Sequence, residues 1–301
     1  MADPVLPSKL SAADLRREGT EHANGPIRRS EGMATHTVDV VVTEEQKRQY
    51  WEQGFIVVKN VLSHEQVERY KKRATQIAHG DIPPGGEKMI VKDVRVAKGL
   101  YKPDDPEKGL WKLLQPDHFD PTFADYPTSK RLLDVVEQIL GPDLKCFLTM
   151  MIYKPPHLDE VHHPWHQDKM YFNFDPADQI MGTWIALDAT DKDNGTMVFI
   201  PGSHKQQVEH EYDSSPTQNF GIMYAKGYSI PHPGEIAVDL GPGDGVFFHS
   251  LLLHRTGPNV TDRHRRVLTM HCASCKCRMQ GELLGQMKMR LVRGQEYEGC
   301  I

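Results

Sequence analysis

The hydrophobic pattern of this chain changes period near residue 141. Before that point apolar positions recur as they do on helices. Thr43, the polar stretch 44–52 and Gly54 have the cap, body and left-handed stop of a short helix. Ser63 with Gln66 three positions on is a capping-box start, and predicts a second helix to about His79, stopped by Gly80. A third is predicted over 128–140, where Leu132, Val135, Val136 and Ile139 fall on one face and Gly141-Pro142 ends it. The apolar run at 54–58 reads instead as a buried strand. After Gly141, short runs rich in β-branched and aromatic residues follow one another, at 144–153, 182–187, 196–200, 235–240, 245–249 and 267–274. Turn chemistry separates them, as in Asn194-Gly195, Pro201-Gly202 and 241–245. Helices first and strands after predict an antiparallel β core with helices packed on one face. So many short strands close as a double-sheet jelly roll, the cupin-like double-stranded β-helix.

Residues 1–42 carry no such period. They are polar, charged in both signs and interrupted by Pro and Gly, and they cannot bury enough surface to offset the entropy of ordering. A disordered extension is expected there, followed by one domain over 43–301 with a helical part to about 141 and the jelly-roll core over about 142–280. The length of 301 residues, 39% of them hydrophobic, suits that single globular body. With 36 basic against 41 acidic residues the net charge is −5, which disfavours nucleic acid or an anionic membrane surface as a partner. No apolar run approaches the roughly 18 residues of a membrane span, and the N-terminus lacks a secretory signal.

Three of the five cysteines crowd into 272–277, too close for a disulfide framework, so a reducing intracellular compartment is expected. The acidic residues among the N-terminal arginines argue against a mitochondrial presequence, and Glu298-Gly299-Cys300-Ile301 is not a Ser-Lys-Leu-type peroxisomal address. The cytoplasm is therefore the default expectation. Sixteen histidines invite a search for metal ligands.

His166 and Asp168, one residue apart, share a face on extended chain. His254 follows the apolar run 246–253 and supplies a third ligand. Two histidines and one carboxylate leave open positions on the metal, which is what non-haem Fe(II) needs to bind a co-substrate and dioxygen together. Arg265 lies eleven positions after His254, and if the turn at Gly257-Pro258-Asn259 reverses the chain it faces the same cavity. A planar guanidinium there suits a carboxylate held bidentately, and Thr256 offers a hydroxyl on the His254 face. The ligand that chelates Fe(II) at one end and presents a carboxylate at the other is 2-oxoglutarate.

At these residues the chain resembles the phytanoyl-CoA dioxygenase family, most of all its phytanoyl-CoA hydroxylase branch. The resemblance rests on Met150–Pro156, His163-Pro164-Trp165-His166-Gln167-Asp168, Asn194-Gly195 through Lys205, Gly243 through His254, and His271-Cys272-Ala273-Ser274. It implies Fe(II) held by His166, Asp168 and His254, and 2-oxoglutarate bound by Arg265. Lys112, Met150, His166, Gln167, Asp168, Trp184 and Thr256 are implied co-substrate contacts. Dioxygen is the implied second co-substrate and ascorbate the reductant. The implied reaction hydroxylates a small molecule, an acyl-CoA such as phytanoyl-CoA, beside its thioester carbonyl, with succinate and carbon dioxide as co-products. A carboxylate at Asp168 implies hydroxylation, since related halogenases put a small residue there. Two other readings stand beside it: the same chemistry on another small metabolite, and a metal-binding jelly roll without catalysis.

Other features have blander expectations. Asp191–Gly195 lacks the glycine and glutamate of a calcium loop and reads as a hairpin turn. His162 and His163 are expected to have no direct role, His249 to be structural, and His204-Lys205 to form a solvated loop. The cluster of His271, Cys272, Cys275 and Cys277 is expected to be a strand end with packed thiols.

Overall fold

Both helix starts close as their sequences predict. Thr43 accepts from the Gln46 amide and opens α1 (Glu44–Gln53), which Gly54 ends in the left-handed region. Ser63 does the same with Gln66 for α2 (His64–Ala78). The computed structural model describes residues 38–157, 163–172, 174–213, 222–280 and 289–298. Within them follow the short helices α3 (Val94–Ala97) and α4 (Pro116–Phe119), then α5 (Lys130–Leu140). The early strands are β1 (Phe55–Val58), β2 (Ile90–Lys92) and β3 (Leu110–Leu114). After α5 come β4 (Leu144–Lys154), β5 (His163–His166), β6 (Phe174–Asp175), β7 (Ile180–Ala186) and β8 (Met197–Phe199). They continue with β9 (His210–Asp213), β10 (Ile222–Ala225), β11 (Ile236–Ala237), β12 (Gly245–His249) and β13 (His254–Thr256). The last are β14 (Arg265–Ser274), β15 (Arg278–Met279) and β16 (Arg290–Arg293).

Two antiparallel sheets form the jelly roll. The larger runs β1-β12-β7-β14-β4-β3-β2, with β16 also on β4, and the smaller runs β11-β8-β13-β5. Strand alternation divides the large sheet cleanly between two faces. Ile56, Phe247, Ile185, Leu268 and Met151 meet Tyr70, Ile77, Leu132 and Val136 of α2 and α5 in the helix-side core. On the other face Phe55, Trp184, Val246, Phe248 and Val267 meet Met197 and Phe199 of the small sheet. The Phe55 and Phe199 rings stack at 4.6 Å and set the gap between the sheets.

Two expectations need correction. Val40 and Val42 are buried, and the segment is bonded to α5 through Asp39 N to Asp134 Oδ2 at 2.7 Å and Val42 N to Gln138 Oε1 at 3.0 Å. Residues 38–42 therefore belong to the folded body rather than to an extension ending at 42; residues 1–37 lie outside the described residues. The region up to 141 is also less helical than expected. β2 and β3 extend the large sheet beyond β4, strands too short and too mixed in polarity to show a period-2 pattern.

Candidate active site

The two sheets supply the site from opposite sides. On the small sheet β5 and β13 pair so that His166 stands directly across from His254, with ring centroids 4.0 Å apart. Each ring is braced alike. His166 Nδ1 donates to Pro164 O and His254 Nδ1 to Leu252 O, both at 2.9 Å. That bond places the ring proton on Nδ1 and leaves the Nε2 lone pair for a metal. Burial pulls the His254 pKa down to about 3, so its imidazole stays neutral.

Asp168 opens a tight turn, Asp168–Tyr171, pinned by Lys169 N donating to Ser250 O at 3.0 Å. Its Oδ1 lies 3.6 Å from His166 Nε2 and 3.5 Å from His254 Nε2. The three residues are buried and their donor atoms lie within 4.8 Å of one another, the one such cluster among the described residues. Burial by itself would raise the Asp168 pKa, but the surrounding His254 and His271 hold it well below the usual carboxylate range. Three convergent lone pairs, one of them anionic, fit a single divalent cation with an open side.

The large sheet completes the site. Along β14, Arg265, Val267, Thr269 and His271 share the inward face. His271 Nε2 donates to Asp168 Oδ2 at 2.9 Å, which leaves Oδ1 turned toward the two imidazoles. Arg265 is 1% exposed, and its Nε and Nη1 have no hydrogen-bond partner. Its guanidinium carbon lies 5.5 Å from the Trp184 ring centroid, and burial pulls its pKa down to about 9. Orphaned N–H groups on a buried cation are costly, and a bidentate carboxylate satisfies them.

Lys112 and Met150 sit on the same inner face, through the β3–β4 pairings of Lys112 with Ile152 and Leu114 with Met150. Burial lowers the Lys112 pKa to about 8, against the opposing pull of Asp168. Thr256, two residues past His254, accepts from Lys154 Nζ at 3.2 Å. The structure thus gathers His166, Asp168, His254, Arg265, Trp184, Thr256, Lys112 and Met150 between the two sheets. Gln167 is the exception. It lies between two inward residues and so points away, donating to Gln206 O and Leu251 O and accepting from Val208 N. Its side chain ties loops together.

Two residues at the site escaped the sequence reading. His271 was legible in principle, because it falls at an even offset from Arg265 on one strand. Lys154, paired with Arg265 in register, stands in the Met150–Pro156 segment, which gave it no role of its own. Of the blander features, His163 lies edge-on to His166 with centroids 4.3 Å apart, while His162 lies outside the described residues. His249 sits behind the large sheet's end beside His204, accepting from Leu251 N. His204 is not in a solvated loop: it is 7% exposed, with Nε2 donating to Trp51 O at 3.1 Å.

A jelly roll that turns two histidines and a carboxylate onto one buried point defines the class of mononuclear non-haem oxygenases. Comparison with known proteins narrows the class. The family model for phytanoyl-CoA dioxygenase (PhyH) matches residues 50–267. Mouse (Mus musculus) phytanoyl-CoA dioxygenase, peroxisomal, is 33% identical over 244 residues, covering 79% of this chain and 70% of its own. This chain belongs to the phytanoyl-CoA dioxygenase family. Among solved structures, the non-heme monooxygenase ThoJ in its apo form superposes with a TM-score of 0.63 at 20% identity, over 85% of this chain and 86% of its own. EctD from S. alaskensis with 2-oxoglutarate and 5-hydroxyectoine gives 0.62 at 20% identity, over 81% and 80%. Among the described residues, no helix is long and apolar enough to cross a membrane.

Proposed function

We propose that this chain is an Fe(II)- and 2-oxoglutarate-dependent hydroxylase acting on a fatty acyl-CoA at the carbon beside the thioester carbonyl. The observation that carries the reading is the pairing of the buried His166, Asp168 and His254 cluster with the unpartnered Arg265 guanidinium on the facing sheet. Bound Fe(II), with dioxygen, supplies the oxidative decarboxylation of 2-oxoglutarate to succinate and carbon dioxide that puts one oxygen atom into a substrate C–H bond. The chain's own residues prepare that step. His166 and His254 present fixed Nε2 atoms, and Asp168 presents an Oδ1 whose partner oxygen His271 holds. Arg265 and the Thr256 hydroxyl take the far carboxylate of the co-substrate, with Lys112 adding positive charge on the same face. Ascorbate acts as the external reductant.

The substrate side is apolar. Along β4 the buried Thr149, Met151 and Tyr153 alternate with half-buried Leu148, Met150 and Ile152. An inner face of aliphatic side chains that is not fully packed is a wall for an acyl chain. A carboxylate filling the third ligand position favours hydroxylation. The catalytic domain is read as starting at Val38. Buried thiols at Cys146, Cys272 and Cys277 suit a reducing compartment.

Succinate formation by purified protein with Fe(II), ascorbate and 2-oxoglutarate, with and without phytanoyl-CoA, tests the proposal. Turnover stimulated by the ester is expected, and Arg265→Ala should raise the 2-oxoglutarate requirement while leaving metal binding intact. Turnover indifferent to the ester would move the substrate to another small metabolite. No turnover in metal-loaded protein would refute catalysis.

A further inference from the structure

Arg265 is not the only basic side chain at its end of the cavity. The β4–β14 register places Lys154 directly across from it, and residues so paired project from the same face. Lys154 is 4% exposed. Burial and the positive charges of Arg265 and Arg255 push its pKa well below the usual lysine range. Its Nζ donates to Thr256 Oγ1 at 3.2 Å and to the Gly257 carbonyl.

The direction of the first of these bonds matters. With the far carboxylate of the co-substrate bound the charged form of the lysine is favoured, and an ammonium has three donors and no lone pair, so Thr256 Oγ1 is the acceptor. A hydroxyl has one proton, and with a lone pair committed to Lys154, that proton is left to point elsewhere. Lys154 thereby sets Thr256 as a donor. The surroundings are built around the lysine. Asn259 Nδ2 donates to Lys154 O at 2.9 Å. Gly195 sits at φ +84°, and a Cβ there would stand 2.7 Å from both Lys154 Cδ and Gly257 O. The Asn194-Gly195 turn therefore does more than join two strands: it leaves the space in which the lysine stem and the carbonyl that anchors it lie.

We propose that Lys154 is a positioning residue for the far carboxylate of the co-substrate. It orients the Thr256 hydroxyl toward that carboxylate and, charged once the anion is bound, adds a second positive charge beside Arg265. The inference rests on the reading of Arg265 as the carboxylate holder. Its consequence is selectivity: the pair of buried cations distinguishes a 2-oxo dicarboxylate from a 2-oxo monocarboxylate of similar length.

The test is anaerobic calorimetry on Mn(II)-loaded protein titrated with 2-oxoglutarate and with 2-oxopentanoate, which lacks the far carboxylate. Lys154→Met should weaken 2-oxoglutarate binding roughly 10- to 100-fold, the scale of one hydrogen-bonded charge. Binding of 2-oxopentanoate and of Mn(II) should not change. Thr256→Val should weaken 2-oxoglutarate as well, and the double variant should lose less than the product of the two single losses, because the residues act in series. Lys154→Gln, which keeps a donor for Gly257 O, serves where the methionine variant does not fold, and the same selective loss is expected. Equal weakening of both acids, or unchanged 2-oxoglutarate binding, overturns the role of Lys154. Wild-type protein that binds Mn(II) but neither acid overturns the reading of Arg265 instead.

Discussion

Replacing His271 by phenylalanine should weaken metal binding although none of the three ligand residues is touched. Asp168 is 6% exposed, and its two oxygens have separate tasks. Oδ2 accepts from His271 Nε2 at 2.9 Å, and Oδ1 faces the imidazoles of His166 and His254 at 3.6 and 3.5 Å. Without the His271 donor the carboxylate loses a hydrogen bond worth about 1.5–3 kcal/mol for a charged acceptor, and it is no longer prevented from rotating. Loss of such outer partners typically costs about 10- to 100-fold in metal affinity, or about 1.4–2.8 kcal/mol. The two routes agree. Phenylalanine isolates the effect, because the His271 ring already lies 5.1 Å from Phe172 and 6.2 Å from Phe147 between centroids, so an aromatic ring is accommodated there. The assay is anaerobic calorimetry with Co(II), whose visible absorption also reports coordination. His271→Gln, which can return an N–H donor near the same point, should recover most of the affinity. Wild-type Co(II) affinity in His271→Phe would refute the argument that Asp168 is held from behind.

Two further outcomes are expected. The Lys112 ammonium, held by burial at about 8, loses its charge as pH rises through that value; a bound anion favours the charged form and raises the pKa again. Binding of 2-oxoglutarate should therefore weaken above pH 8 and take up a proton there, seen as a buffer-dependent heat that is absent near pH 6 and abolished in Lys112→Met. Asp134 accepts from Asp39 N and Arg293 Nη1 at 2.7 and 2.8 Å, joining both ends of the folded body to α5. Asp134→Ala should cost about 1.5–3 kcal/mol in urea unfolding. Burial opposes its charge, but Arg293 and the Asp39 amide hold its folded pKa below the ordinary value. The wild-type advantage should thus be complete above the unfolded carboxylate pKa of about 3.9 and vanish as pH falls through the folded one.

What the sequence revealed of this site follows from what each residue owes to its neighbours in the chain. His166 and Asp168 declare themselves because a histidine and a carboxylate one residue apart make a local pattern, and His254 because it ends an apolar run. The helix caps at Thr43 and Ser63 are equally local, and both form. Gln167 is set apart from the other site residues for a local reason too. A motif names consecutive residues, but alternation sends the middle one the other way, where Gln206 O and Leu251 O take its amide. His271 and Lys154 depend on register between strands far apart in sequence, which no window along the chain displays. β2 and β3 were hidden likewise, since their pairing on the edge of β4 rather than their own pattern makes them strands. Val40 and Val42 were lost in polar surroundings, and only the Gln138 and Asp134 side chains on α5 identify them as packed.

The division of labour between the sheets explains why so much charge is tolerated in the interior. The small sheet and its turn carry His166, Asp168 and His254, while the large sheet carries Arg265, Lys154 and the histidine that braces Asp168. On the proposed function, a co-substrate that chelates a metal with one end and meets Arg265 with the other bridges the sandwich. Such a bridge binds well only if the gap already has the right width, because strain in either sheet would subtract from the binding free energy. Aromatic packing spans the gap. Phe55 stacks on Phe199 at 4.6 Å, and Phe199 lies 5.8 Å from Phe248 between ring centroids. Phe248 in turn lies 4.8 Å from the His254 ring. This aromatic spacer joins the large sheet to His254 on the small one, and close packing resists any change in its length. The unpartnered N–H groups of Arg265 then face a fixed separation from the metal ligands, so the cost of burying them is borne by packing until a carboxylate of the right reach offsets it.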